Sequence, residues 1–565
     1  MEITKLSLWL KTAIKDKKLT TLNDNIKVGN SLTIDWKQTF PTVLKNGGFE
    51  VVLMNPPYIK EDENREAFSA VKSNPIYQGK MDLWYLFGGL ALDLIQPETG
   101  LIGIIAQSNW VTSDGAQKFR NKVIRDGRIE RFVDFGSYNV FEDAGIQTMI
   151  MICRRSSADP SYDFSYQKFE VTNGRESDVI DFLTQDDTQG SLRFSTQLDR
   201  ASSIGETISF VPPTATRVID AISSKGSFFL DPKSEIFSGI DGQETVKRKD
   251  AERLSQALSR RIEPGDGIFV LTRAQLAAKK FSSKDMELIR PLFSPSEINR
   301  FYAIREPAEY VIYTGPVFKD PKSLDAYPGI KKHLDLFQDV ITSANKPYGL
   351  HRARDPEIYS GERIFVIRKA VGRPRFSLID FEAYFTRTFN VIKTDRIDNM
   401  FLTCVLNSSL IAYWFKFRGK MQGDNYQIDM RPLGAVPIAQ TDEVEPFREL
   451  HEKLCEAHSN FQEAKSKFWL PLRTLYSLQS VPRSLSAWWE IDFQEFHQKL
   501  NLQLTPTQVS DLNDYFTSRS RDIRKLIAEI QVLEYDLDEL VFDLYEIDSD
   551  DRQIVRATVT PAHEL

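Results

Sequence analysis

The chain has 565 residues, of which 41% are hydrophobic and 27% charged. At about 150 residues per domain there is room for three or four domains, and the composition excludes a collagen-like, low-complexity or largely disordered chain. The net charge of −7, from 72 basic and 79 acidic residues, argues against a non-specific nucleic-acid coater but not against an enzyme with one basic face. No apolar run reaches the ~18 residues of a membrane span, and the opening MEITKLSLWLKTAIKDKK lacks a signal-peptide pattern. Cys153, Cys404 and Cys455 lie too far apart for a disulfide framework or zinc spacing, and no HExxH stands among the histidines. No metal and no membrane association are expected, and a reducing cytoplasm is the natural compartment.

Helix-like and strand-like runs alternate from residue 2 to about 155. Ile3, Leu6, Leu10 and Ala13/Ile14 predict a helix over 2–14. Phe49–Met54 predicts a short buried strand ended by Asn55-Pro56-Pro57. A helix over 82–96, a strand over 101–106 and a helix at about 113–125 follow, then strands at Ile129–Phe135 and Gln147–Cys153. This pattern predicts an open α/β sheet covered on both faces. Residues 156–208, frequent in Ser, Asp, Thr and Gly, read as a connection with some local structure. From 209 to 440, short strands such as Glu309–Thr314, Arg363–Ile367 and Phe385–Ile392 sit among Pro/Gly turns and helices such as 400–417, which predicts an α+β domain. From 441 to 565 the chain is mainly helical, and an amphipathic stripe over 521–547 predicts a helix packed on its own protein.

The tetrapeptide Asn55-Pro56-Pro57-Tyr58 carries the chemistry. Its plain alternative is a proline-rich turn. An exocyclic amine on an aromatic ring is a poor nucleophile because its lone pair is delocalised. Two acceptors aimed at its N–H groups draw the nitrogen toward tetrahedral geometry and stabilise the developing positive charge. The Asn55 side-chain oxygen is one such acceptor and the Pro56 carbonyl the other, held rigidly by the two prolines. Tyr58 offers an aromatic face to a base taken out of the stack. A loop at the C-terminal end of a parallel strand is where open α/β sheets bind ligands.

On these residues the chain resembles the gamma-class, TaqI-like amino-methyltransferases of restriction–modification systems, which methylate adenine N6 in DNA. EITKLSLWLKT (2–12) resembles the helix after the family's second strand. IKVGNSL (26–32) resembles its third-strand loop, which assigns Gly29, Asn30 and Ser31 to the cofactor, with Asn30 at the cofactor's adenine. MDLWYLF (81–87) and GLIGIIAQSNWVTSDGAQKFR (100–120) resemble the units after the tetrapeptide. FVDFGSYNVFEDAGIQTMIMI (132–152) resembles the motif whose Phe stacks on the flipped adenine, here Phe141, otherwise a core aromatic. The looser matches at 288–302, 349–376 and 399–415 resemble the target-recognition domain.

The resemblance implies a partial Rossmann-like class I methyltransferase sheet over 1–155, a connecting segment at 156–208, an α+β target-recognition domain over 209–440 and a helical C-terminal region over 441–565. It implies S-adenosylmethionine as cofactor and double-stranded DNA as partner, with Asn55, Pro56, Pro57 and Tyr58 catalytic and Tyr58 and Phe141 stacking on the target base. No Gly-rich turn precedes Asn55, since Gly47-Gly48 comes too late, and no acidic strand end stands where the ribose hydroxyls would need one. The expectation is a chain lacking its front, through a start codon assigned late, a gene interrupted or split in two, or a true two-chain enzyme whose cofactor site an upstream-encoded chain completes, in a system that can include a restriction endonuclease. The alternatives are a non-catalytic DNA-binding remnant or specificity subunit, and methylation of another amino group: cytosine N4, ribosomal RNA guanine or protein glutamine. Between Ser343 and Phe376 eight basic residues face three acidic ones. Arg352, Arg354, Lys369, Arg373 and Arg375 are the candidate DNA contacts, each with a solvated face or a local ion pair as its plain alternative.

Overall fold

The structure, a computed structural model, describes residues 2–12, 22, 24–141, 145–171, 174–185, 188, 190–241, 245–422, 425–476, 478 and 481–559. The chain divides into two compact units, Met1–Thr216 and Arg217–Leu565.

The first unit contains α1 (Glu2–Thr12), β1 (Val51–Met54), α2 (Trp84–Leu94), β2 (Leu101–Gln107), α3 (Gln117–Asp126), β3 (Gly127–Asp134), β4 (Thr148–Arg155), β5 (Ser161–Phe169), α4 (Glu176–Thr184) and β6 (Ser191–Asp199). The strands form one mixed six-stranded sheet in the order β1-β2-β4-β3-β5-β6. β1 lies parallel to β2, with Val51 opposite Leu101 and Met54 opposite Ile104. Such a pairing needs a crossover of a dozen or more residues, and α2 supplies it. Apart from the exposed Asp93 this helix is apolar, and it is buried through Trp84, Tyr85, Leu86 and Leu92. Tyr85 stacks on Phe119 of α3, and Trp84 meets the same ring edge-on. Gly88 permits this approach, because a Cβ there would stand 2.7 Å from the Phe119 ring.

Three features differ from the sequence expectation. Residues 156–208 are not a connection: β5 and β6 pair antiparallel over their full length and extend the sheet. In β5 the apolar face is carried by Tyr162, Phe164 and Tyr166 alone, alternating with Asp163, Ser165 and Gln167, so period two is hidden in a polar composition. Residues Ile26–Leu32 form turns rather than a strand. The sheet is also not covered on both faces throughout, for at its β1 edge Val51 is 57% and Leu53 78% exposed.

The second unit takes in both the expected α+β domain and the expected helical region. It includes α5 (Arg248–Ala257), α6 (Arg273–Lys279), α7 (Asn399–Asn407), α8 (Ser409–Arg418), α9 (Glu445–Tyr476) and α10 (Pro506–Leu544). Arg363–Ile367 forms a strand at the bounds read from sequence, between Phe376–Ile379 and Phe389–Ile392. The run 385–392 divides between two sheets. The helix expected over 400–417 bends by 64° between α7 and α8. Ser408 caps α8 by accepting the Ile411 N–H at 3.2 Å, while Asn407 spends its side chain on both backbone groups of Phe376. No single described helix is long and apolar enough to cross a membrane.

A buried charge network holds α10 to this core. The Arg300 guanidinium donates to Glu534 Oε1 at 2.7 Å and to the Asn407 carbonyl at 2.7 Å. Arg373 donates to the same carbonyl at 2.9 Å and lies 3.5 Å from Glu534. Asp538, one helical turn along, accepts the Ser409 N–H at 2.7 Å. Burial alone would raise the Glu534 carboxyl, but the attraction of Arg300 and its neighbours outweighs burial and holds it well below the usual carboxylate range. Its contribution is therefore full above the ordinary glutamate value of about 4.5 and is lost as pH falls below it.

Removing one member of a buried ion pair strands its partner, which costs about 3–5 kcal/mol. Glu534→Ala should lower the urea midpoint of the full chain correspondingly at pH 7, with a smaller gap between variant and parent at pH 4.

Candidate active site

β1 stops at Met54 because Pro56 and Pro57 cannot donate to a ladder. The chain turns there, leaving Asn55 exposed and Pro56 buried. Tyr58 folds back over the turn. Its hydroxyl lies 2.7 Å from Asn55 Oδ1 and 3.0 Å from the Ile105 carbonyl of β2, sharing one proton between two acceptors. The parallel β1–β2 pair thus sets the position of the tetrapeptide, and Tyr58 ties the Asn55 side chain to it. Burial, aided by the Asp82 carboxylate, pushes the Tyr58 hydroxyl up to about 12.

Phe141 stands beside Tyr58, with ring centroids 6.2 Å apart and planes inclined at 53°. A base between two parallel rings needs about 7 Å at ordinary contact distances, so the rings must swing apart slightly to admit one. Tyr58 and Phe141, more than eighty residues apart in sequence, are brought together by the sheet.

Asp82 was not singled out by its sequence context, although it lies within the MDLWYLF match. It is 4% exposed and sits where α2 begins. Its Oδ1 accepts the Trp84 N–H at 3.4 Å, and its Oδ2 has no hydrogen-bond partner among the described residues. Burial raises its carboxyl from the usual value. Around it the Leu83 N–H donates to the Ile59 carbonyl at 2.8 Å and the Glu61 N–H to the Met81 carbonyl at 3.0 Å, fastening the loop after Tyr58 to the start of α2. An acidic residue just ahead of an apolar helix was the available signal.

Of the cofactor candidates, Asn30 is exposed, and its Oδ1 accepts the Leu32 N–H at 3.0 Å in a local turn. The Ser31 carbonyl accepts the Trp36 indole N–H at 2.9 Å, and Leu32 packs against the core of this unit. Gly29 is exposed, and a Cβ there would stand 2.5 Å from Ile34. Among the described residues no strand flanks β1 opposite β2. The groups that would face an amine acceptor are thus assembled on this chain. Among the described residues, neither a Gly-rich strand–helix turn nor an acidic strand end stands beside β1.

The five DNA candidates fall out unevenly. Arg373 is 7% exposed and committed to Glu534 and Asn407, which corrects its assignment to a DNA face: the interior needs its charge. Arg352 pairs with Asp241 at 3.5 Å, and Arg354 donates to the Gly239 carbonyl at 3.3 Å. Arg375 reaches Asn299 and the Val371 carbonyl. Lys369 is exposed.

Residues 1–141 match the family model described as Eco57I restriction-modification methylase. A second family model, a domain of unknown function (DUF8810), matches residues 440–541. The type II restriction enzyme and methyltransferase RM.Eco57I of Escherichia coli is 26% identical over 184 residues, covering 30% of this chain and 17% of that protein. Among solved structures, the type IIL restriction-modification enzyme MmeI in complex with DNA aligns over 91% of this chain and 60% of its own, with a TM-score of 0.50 and 12% identity, a likeness of fold. The chain thus spans less than two thirds of either relative. The resemblance to methyltransferases of restriction–modification systems is borne out.

Tyr58→Phe keeps the ring and removes the hydroxyl, so it should cost roughly 1 kcal/mol of stability. In the parent protein, the phenolate absorbance of Tyr58, taken as the difference from this variant, should stay absent up to pH 11.

Proposed function

We propose that this chain carries the acceptor half of an adenine-N6 DNA methyltransferase of a restriction–modification or phage-defence system. The observation that carries the reading is the exposed Asn55 at the end of β1, with its side-chain oxygen and the Tyr58 ring held together and Phe141 opposite. S-adenosylmethionine, when bound, supplies a methyl group already activated by its sulfonium. The work of this chain's residues is to accept the two N–H groups of the target amine at Asn55 Oδ1 and the Pro56 carbonyl. Asn55 Oδ1 has a second lone pair and can accept an amine N–H while keeping the Tyr58 hydroxyl. Tyr58 and Phe141 hold the flipped base by its two faces. Gly29, Asn30 and Ser31 offer the donor its adenine contact. Residues 209–440 supply target recognition, with Lys369 exposed among the contacts read from sequence.

A second reading, a DNA-binding subunit silent in transfer by itself, is favoured by the open β1 edge with Val51 and Leu53 exposed. On the first reading an upstream-encoded polypeptide supplies the remainder of the cofactor site. A restriction endonuclease is a further proposed partner.

The test is transfer of labelled methyl from S-adenosylmethionine to mixed-sequence duplex DNA, by the chain alone and with the upstream-encoded polypeptide, followed by digestion to nucleosides. N6-methyladenine is the expected product; N4-methylcytosine would overturn the base assignment. Asn55→Ala should lower the rate by about 100- to 1000-fold and leave DNA affinity within about twofold. A near-parental rate would remove Asn55 from the mechanism, and no transfer in either arrangement would favour the silent subunit.

A further inference from the structure

The basic stretch most visible in the sequence turns inward. Arg363 and Arg373 are buried, Arg368 pairs with Asp429 at 2.6 Å, and Arg352 pairs with Asp241. Another set of cations in the same unit does the opposite. Between Lys247 and Arg261 there are six basic and two acidic residues, a denser excess than at 343–376. Lys247, Arg248, Lys249, Arg253, Arg260 and Arg261 are all exposed. α5 buries Ala251 and Leu254, which fixes its inner side and turns its charged positions to solvent.

Two contacts bring the flanking turns alongside. The Val246 N–H donates to the Asp266 carbonyl at 2.8 Å and the Gly265 N–H to the Val246 carbonyl at 2.9 Å, holding the start of α5 against the 263–266 turn. Arg260 lies close enough to Lys279, at the end of α6, that its charge adds to burial in lowering that ammonium. The acids of the region are partly spent: Asp250 on Arg253 at 3.7 Å and Glu263 on Arg261 at 2.6 Å. Lys247, Arg248, Lys249, Arg260 and Lys280 carry no ion pair among the described residues.

We infer that Lys247, Arg248, Lys249, Arg260 and Lys280 form a surface that contacts the phosphate backbone of double-stranded DNA. The inference rests on the DNA reading above and deepens it. Unpaired like charges gathered on one face of an acidic chain repel one another and add nothing to the fold, but they complement a polyanion. A ten-residue helix is about 15 Å long, and duplex DNA presents one phosphate charge per ~1.7 Å of axis, so several phosphates lie within reach. Contacts to phosphates position a duplex without reading its sequence.

The experiment is anisotropy of a labelled mixed-sequence duplex, titrated with the full chain over a range of salt concentrations. Lys247→Glu/Arg248→Glu/Lys249→Glu should bind at least tenfold more weakly at low salt, and its slope of log affinity against log salt should shrink by about 2–3, near 0.9 per lost phosphate contact. Arg260→Glu/Lys280→Glu should shrink it by about 1–2. The neutral Lys247→Gln/Arg248→Gln/Lys249→Gln should move it the same way, so that the result does not depend on a charge-reversed chain folding. Lys453→Glu/Arg521→Glu/Lys525→Glu changes the net charge equally at exposed positions elsewhere in the unit and should leave the slope near parental. An equal loss in that control, or unchanged slopes in the α5 variants while the parent binds, would overturn this surface and leave the DNA reading standing. A parent chain that binds no duplex at any salt would overturn both.

Discussion

The parallel pairing of β1 with β2 is the constraint from which the candidate site follows. It requires a crossover, and α2, apolar apart from Asp93, provides one that can be buried. Because the pairing is parallel, Asn55 leaves the sheet at the same end at which β2 presents the Ile105 carbonyl to the Tyr58 hydroxyl. The start of α2 in turn receives the loop that follows Tyr58, with Asp82 beneath it. Backbone register, a helix and one buried carboxylate thus place an exposed amide oxygen beside an aromatic ring.

Among the described residues the same sheet has no strand beyond β1. Leu53 lies in β1 two residues before Asn55, and it is among the most exposed large apolar side chains of the described residues. An unpaired strand edge with an apolar face invites further pairing. The acceptor groups and the open edge therefore meet at one place, and for that reason the proposed activity is tested with and without a second polypeptide.

In the second unit, charge is divided between two uses. Arg300, Arg373, Glu534 and Asp538 are taken out of water and satisfied by one another and by backbone at the α7–α8 bend, so their charge serves the packing of α10. On and around α5, Lys247, Arg248, Lys249, Arg260 and Lys280 remain exposed and make no ion pair among the described residues. A count of charges along a sequence does not separate these uses, because both stretches show an excess of basic residues.

The sequence by itself determined those features that depend on near neighbours. The strand ending in two prolines, the apolar crossover helix, the strand Arg363–Ile367 and the chemistry available to Asn55 and Tyr58 follow from local periodicity and from what proline forbids. Tertiary structure alone decided what depends on distant partners. Residues 156–208 became sheet because β5 and β6 pair with each other and β5 with β3, although their polar spacing resembles a loop. Asp82 came under the tetrapeptide through backbone bonds between residues 59–61 and 81–83. Arg373 became an interior residue because Glu534, 161 positions later, reaches it. Whether a charge is spent inside or kept for a partner is set by what the fold brings within a few ångströms of it, and sequence distance carries no record of that.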